Sequence, residues 1–263
     1  MVAKQKGELQ HTLNGREARH VTAPSGRGRA RWYQITGVDG EPYPSVTMVT
    51  GSLEKGFLLP WTSKMIREAN AAEFGVYAEH GRVLTPTSLN LILDRTKHAA
   101  KNYAMKSADR GTRAHEVIES LLGDAEPLHD DDLSPYIEGF KSWQTRFKPE
   151  VVATETVVYS DQYGYAGRAD VVFRLNGVLY VGDWKTGKGL YPDMAVQASA
   201  YAKAIAEMTG EPCKAVIISL GPEAGKEFWA HNEVNVEAAF PGFTGALRAF
   251  WALRSKKLFT PTT

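Results

Sequence analysis

Cysteine is almost absent from this chain: Cys213 is the single one among 263 residues. An intrachain disulfide is thereby excluded, and one thiol cannot by itself hold an iron–sulfur cluster or a structural zinc. Long apolar runs are missing as well. No stretch approaches the roughly 20 residues that a membrane helix needs. The opening M-V-A-K-Q-K-G-E-L lacks the apolar core of a secretory signal, so a cytoplasmic protein without a membrane partner is expected. Net charge is nearly absent too, at +1, and composition (43% hydrophobic, 23% charged) is that of an ordinary globular enzyme.

The small net charge is unevenly spread. Lys4, Lys6, Arg16, Arg19, Arg27, Arg29 and Arg31 stand against only Glu8 and Glu17, which leaves the first 31 residues at +5 and the remainder at −4. A basic, glycine-containing leader over 1–31 reads as a flexible arm able to reach a polyanion, or as a solvated tail.

No repeat or long linker divides the chain beyond that leader. Residues 31–50 read as extended segments around a Gly/Asp turn. Helices are predicted over 60–80 and 88–105, making 32–106 a mainly helical N-terminal part. From 107 onward the elements alternate. Residues 109–122 place Ala114, Val117, Ile118, Leu121 and Leu122 on one helical stripe. Strands are predicted at 154–160, 165–175 and 178–185, the last two joined by Asn176-Gly177, a strong hairpin signal. An Ala-rich helix from Asp193 to about Thr209, a strand at 213–220, another at 228–234 and a closing helix near 237–256 complete an α/β core over 107–263.

One stretch, Val178–Gly189 (V-L-Y-V-G-D-W-K-T-G-K-G), contains G-x-x-x-x-G-K, the start of a phosphate-binding loop. Such a loop requires Ser or Thr after the lysine to hold Mg²⁺, and the residue here is Gly189. Asp183 would repel a phosphate, and Trp184 is bulky where small residues are needed. A nucleotide site is therefore disfavoured, and the strand is read as running on through Lys185. Alternation then puts Asp183 and Lys185 on one face, with Arg168 and Asp170 matching on the neighbouring strand. Two carboxylates and an ammonium are costly to hold together at strand ends unless a divalent cation offsets the charge, for which oxygen ligands suit Mg²⁺ or Mn²⁺; an isolated D-x-K is more commonly an Asp–Lys ion pair on a solvated strand. His115 lies at the edge of its helix's apolar stripe, where a lone histidine is usually structural, yet a ring nitrogen aimed at the two carboxylates would complete a mixed N/O site. Gln197 and Tyr201, four residues apart on one helix face, can brace Lys185 or a substrate phosphate.

Taken in order, R-G-T-R-A-H (Arg110–His115), Glu155, Y-A-G-R-A-D (Tyr165–Asp170), V-G-D-W-K-T-G (Val181–Gly187) and Q-A-S-A-Y (Gln197–Tyr201) resemble the PD-(D/E)XK nuclease superfamily, specifically its RecB-like exonuclease branch with phage and mitochondrial genome-maintenance exonucleases. The resemblance covers about 107–220, and more loosely Tyr43–Thr50 and Leu59–Thr62. It implies a restriction-endonuclease-like core of helix, three-stranded antiparallel meander, helix and further strand. His115, Asp170, Asp183 and the backbone carbonyl of Trp184 become metal ligands, Lys185 the catalytic lysine, and Gln197 and Tyr201 its supporting motif. Glu155 is a possible further acid whose role varies. The third motif carries Asp183 where many superfamily members have Glu. The cysteine quartet of the iron–sulfur members is missing, so no cluster is expected.

The implied activity is Mg²⁺- or Mn²⁺-dependent hydrolysis of DNA from its ends, single-stranded or frayed ends being favoured. The implied setting is phage or bacterial recombination, repair or replication, in the cytoplasm of a bacterial or phage-infected cell, with a recombination or single-strand-binding protein as a possible partner. Arg168 and Lys188 are expected to meet DNA phosphates, and Trp61, Tyr33 or Phe74 to stack on bases. The alternatives are a DNA-binding or assembly module on the same fold and a structure-specific endonuclease.

Overall fold

The computed structural model describes residues 9–21, 32–53, 56, 58–123, 125 and 127–254. Lys4, Lys6, Glu8, Arg27, Arg29 and Arg31 of the expected leader lie outside the described residues. Two compact units are present, one formed by Met1–Leu53 with Ala114–Thr263 and the other by Glu54–Arg113.

The larger unit is built on a five-stranded sheet in the order β5-β6-β7-β8-β9: Glu150–Ser160, Tyr165–Leu175, Val178–Lys185, Cys213–Leu220 and Trp229–Val234. The β6–β7 hairpin turns on Asn176 and Gly177, whose φ values of +50° and +81° match a two-residue turn that follows strand twist. β7 and β8 are parallel, which requires a crossover. Helix α6 (Pro192–Thr209) supplies it, stopped by Gly210 at φ +75°.

Both sheet faces are covered. On one, α6 packs with α1 (Val46–Thr50) and α7 (Val236–Ala252), and Val172, Val181, Ala198, Ala204, Ile205 and Phe243 lie in a shared core. On the other, the end of α4 (Ala99–Leu122) and α5 (Ser134–Phe147) pack through Ala114, Ile118, Phe140 and Trp143 onto Phe173, Trp184 and Ile218. A mixed α/β layering results, the fold class expected from the sequence.

Three parts differ from that expectation. Within the expected leader, β1 (Leu9–His11) and β2 (Glu17–Val21) join β3 (Trp32–Ile35) and β4 (Tyr43–Pro44) in an antiparallel sheet. Ala18, Tyr33 and Ile35 are buried against Val157, Tyr159 and Ala166, and Thr12 bridges to Val157 beside β5. Asn14-Gly15, with Gly15 at φ +80°, is the turn signal for this hairpin. Residues 9–21 and 32–53 thus belong to the core unit and not to a leader or a helical module.

Helix α5 is a second difference, since no helix is predicted there from the sequence. Tyr136, Ile137, Phe140 and Trp143 form its buried stripe, but Gly139 weakens the helical pattern. A Cβ there would lie 2.1 Å from the Phe228 carbonyl oxygen, so close packing demands the poor helix former. Finally, the helices expected at 88–105 and 109–122 are instead α3 (Pro86–Thr96) and a continuous α4. Pro86 opens α3, and Thr85 and Ser88 form a reciprocal cap.

The smaller unit comprises α2 (Leu58–Glu79), α3 and the beginning of α4. Within it Ile92 is fully buried, Thr96 donates to Asn70 Oδ1 at 2.5 Å, and Trp61 meets Tyr103 edge to face. Among the described residues no helix is long and apolar enough to cross a membrane.

Gly182 explains the phosphate-loop look of its segment. A Cβ here would approach Val171 Cγ1 to 2.8 Å, Phe173 to 2.9 Å and Ile218 to 3.2 Å. The glycine lets the α4–α5 side of the sheet close over β7. Gly182→Ala is therefore expected to destabilise the fold by about 1–3 kcal/mol, measured by denaturant unfolding. Unchanged stability with loss of nucleotide binding would restore the phosphate-loop reading.

Candidate metal centre

The centre arises where three neighbouring strands bring acids into one row. Pairing of β5 with β6 runs Thr154↔Val171 and Thr156↔Ala169, leaving Glu155 opposite Asp170 with the ladder open between them. Pairing of β6 with β7 ends at Val171↔Gly182, so Asp170 next meets Asp183. Cross-strand neighbours share a face. Glu155, Asp170 and Asp183 consequently follow one another across the sheet at the end of the β7 strand.

Each carboxylate has different company. Asp183 is 4% exposed. Its Oδ1 accepts from Gln197 Nε2 at 3.3 Å, and Lys185 Nζ stands 2.5 Å from Oδ2, a contact that leaves Oδ2 without a well-aligned hydrogen bond. Asp170 Oδ2 accepts the Trp184 backbone N–H at 3.0 Å. Glu155 Oε2 lies 2.8 Å from Arg168 Nε. Glu155 also has φ +46°, the left-handed region that costs a non-glycine residue about 1–2 kcal/mol.

His115 comes in from α4. Its Nε2 is 2.9 Å from the Trp184 carbonyl oxygen, and because a carbonyl only accepts, Nε2 carries the hydrogen. In the neutral ring Nδ1 then keeps its lone pair towards Asp170 Oδ2, 3.7 Å away. A lone pair facing a carboxylate oxygen is a ligand arrangement, with the opposite ring nitrogen oriented by a carbonyl. His115, Glu155 and Asp170 each offer one ligand atom within 4.8 Å of the others. Asp183 falls outside that trio, its carboxylate turned to Lys185 and Gln197.

Electrostatics set these groups in tension. Burial, and then the charge of Asp183, raise the Asp170 carboxyl to about 7, against the opposing pull of His115, Lys185 and the Trp184 N–H. Burial works against the Lys185 charge, but Asp183 and Asp170 outweigh it and hold the ammonium above its ordinary range. Burial and the same two acids push the Tyr201 phenol well up, so it stays neutral. The raised Asp170 and the N/O donor set of His115, Glu155 and Asp170 fit a hard divalent cation.

Tyr201 and Gln197 stand behind this row on α6, 3.4 Å apart. Gly167 makes room for Tyr201: a Cβ there would lie 2.6 Å from the Tyr201 ring and 3.2 Å from Val46. The glycines of A-G-R-A-D and V-G-D-W-K are therefore packing requirements.

Two other expected site residues of the larger unit, Lys188 and Tyr33, lie apart from the row. Lys188, on the turn after β7, pairs with Glu223 at 2.9 Å. Tyr33 is buried in the N-terminal sheet with 3% of its surface exposed, packed edge-on to His20, so it is a core residue and not a stacking platform. Trp61 belongs to the smaller unit. Sequence reasoning ranks Glu155 behind the other ligands; its place opposite Asp170 and its backbone conformation bring it into the centre.

The raised Asp170 gives a signed prediction. Its folded-state pKa lies above the ordinary carboxylate value of about 4, so the native state binds more protons than the unfolded chain between about pH 4 and 7, and stability falls as pH rises through that window. In chelator, Asp170→Asn is expected to be more stable than wild type at pH 8 by at least about 1 kcal/mol, roughly 2–4 °C in Tm for a chain of this size, with the gain vanishing towards pH 4. Scanning calorimetry of both proteins across pH checks it; a pH-independent difference would mean Asp170 carries no such charge.

No protein-family model matches the chain. Over 124 residues it is 32% identical to human mitochondrial genome maintenance exonuclease 1, a match covering 44% of this chain and 36% of that protein, so the shared region spans about a third of the relative. Among solved structures, the alkaline exonuclease LHK-Exo from Laribacter hongkongensis aligns at 14% identity with TM-score 0.33, over 56% of this chain and 80% of that one. SSO0001 aligns at 15% identity with TM-score 0.35, over 76% and 89%.

Proposed function

We propose that this protein is a divalent-metal-dependent deoxyribonuclease that removes nucleotides from DNA ends. The observation that carries the reading is the row Glu155, Asp170 and Asp183 on adjacent strands, with His115 at one side and the Lys185 ammonium beside it. The sequence similarity to a mitochondrial exonuclease supports the same reaction class.

His115, Asp170 and Glu155, with Asp183 next in the row, would hold Mg²⁺ or Mn²⁺. When bound, the cation supplies Lewis-acid chemistry, making water a better nucleophile and offsetting charge on the scissile phosphate. Lys185, kept cationic by its acids, stabilises the negative charge that develops on the phosphoryl oxygens. Gln197 fixes Asp183, and Tyr201 backs Gln197 as a neutral hydrogen-bonding group, so the Asp183–Lys185 pair is oriented before substrate arrives. The Trp184 carbonyl orients His115. Arg168, 44% exposed at the guanidinium-bearing side chain, is available to a DNA phosphate.

Digestion of end-labelled single- and double-stranded DNA with Mg²⁺, Mn²⁺ or chelator tests the activity. Asp183→Ala and Lys185→Ala are each expected to lower turnover at least about 10²-fold with the fold and DNA binding retained. A folded Asp183→Ala protein that cleaves like wild type would refute the site. A linear strand is expected to be degraded and its ligated circle spared; equal rates on both would make the enzyme an endonuclease, and binding without cleavage under any metal would make it an assembly module.

A further inference from the structure

Beside the acid row lies a pocket of about 470 Å³, formed where β1 meets β5 and lined by Gln10, His11, Thr154, Glu155, Thr156 and Arg168. Two of these residues, Glu155 and Arg168, form the 2.8 Å ion pair. Glu155 is shared: it lines the pocket and also offers a ligand atom within 4.8 Å of those of His115 and Asp170. Its backbone sits at φ +46° at the open step of the ladder. Strain of this kind persists where surrounding structure enforces it, and it gathers at functional switches.

Resting on the nuclease reading, the geometry points to the Arg168–Glu155 pair as a substrate-responsive latch: a DNA phosphate entering this pocket takes the Arg168 guanidinium, and Glu155, so released, turns its full charge to the cation held by His115 and Asp170. Arg168 is then a positioning residue. Without DNA its guanidinium competes with the cation for the Glu155 carboxylate. Two non-bridging oxygens of a phosphodiester match the planar, two-pronged donor of a guanidinium, and the Arg168 side chain that must be captured is 44% accessible, against 20% for Glu155. The coupling is reciprocal: DNA tightens the metal, and the metal tightens DNA. Cation affinity is thereby lowest where no substrate is present.

The test is Mn²⁺ titration of the full chain by electron paramagnetic resonance of free Mn²⁺, in a Lys185→Met background that leaves DNA uncut, with and without a short single-stranded oligonucleotide. Adding DNA is expected to tighten Mn²⁺ about fivefold, the scale of a partly exposed ion pair. Arg168→Met should show the tightened value without DNA and no further gain. Glu155→Gln should show the weak value throughout. An oligonucleotide with uncharged methylphosphonate linkages should produce no tightening. Equal Mn²⁺ affinity in Arg168→Met and its parent without DNA, or a DNA effect that survives Glu155→Gln, overturns the latch. If Mn²⁺ binds and the Lys185 protein cuts DNA normally while the coupling is absent, the latch alone fails; if no variant binds Mn²⁺, the nuclease reading fails with it.

Discussion

Crowding of like charge on one end of a sheet is the constraint around which this molecule is arranged. Glu155, Asp170 and Asp183 occupy adjacent strands because the β5–β6 and β6–β7 registers place them there. Left alone, three buried or half-buried carboxylates would repel and protonate. Each instead has a counterweight: Arg168 from β6 itself for Glu155, the Trp184 N–H from β7 for Asp170, and Lys185 and Gln197 from β7 and α6 for Asp183. These counterweights are incomplete, as the raised Asp170 shows. Incomplete compensation is what a cation site needs, since full neutralisation would leave a cation nothing to bind.

Packing on the two faces serves that row. Gly182 allows Val171, Phe173 and Ile218 to close over β7, and Gly167 allows Tyr201 of α6 and Val46 of α1 to close from the other side. The acids are thus presented by strands clamped between two helical layers, with Trp184 pinned edge to face by Phe140 and Trp143. A strand held this firmly keeps Asp183 and Lys185 in one orientation, and a site on rigid elements loses little entropy when substrate binds. The N-terminal sheet adds a wall beside β5, and in doing so creates the pocket that contains Arg168 and Glu155.

Much of the core is legible in the sequence because its signals are local. Asn176-Gly177 between alternating apolar runs fixes a hairpin and, with it, the pairing of Asp170 with Asp183. Gly210 after the Ala-rich stretch and the buried-looking run at Cys213–Leu220 mark helix and strand by periodicity alone. Helix α5 is not legible, since Gly139 breaks the local pattern for a distant reason, the Phe228 carbonyl. The N-terminal hairpin is hidden under its charges: Arg16 and Arg19 suggest a solvated arm, while the residues that bury, Thr12 and Ala18, are small and draw no attention.

By itself, then, the sequence determined which residue types recur at which spacing: a histidine at a helix edge, D-x-K on a strand, an acid on the strand before, a Gln and a Tyr on one helical face. Alternation and helical period are properties of the backbone, so these relations hold before any folding. Only the tertiary structure decided which carboxylate faces which partner. That Asp183 turns to Lys185 and Gln197 while Glu155 joins His115 and Asp170 depends on an open ladder step, a left-handed backbone at Glu155 and a carbonyl 69 residues along the chain from His115. No local pattern encodes those meetings, because each results from register between strands and from the close approach that two glycines permit.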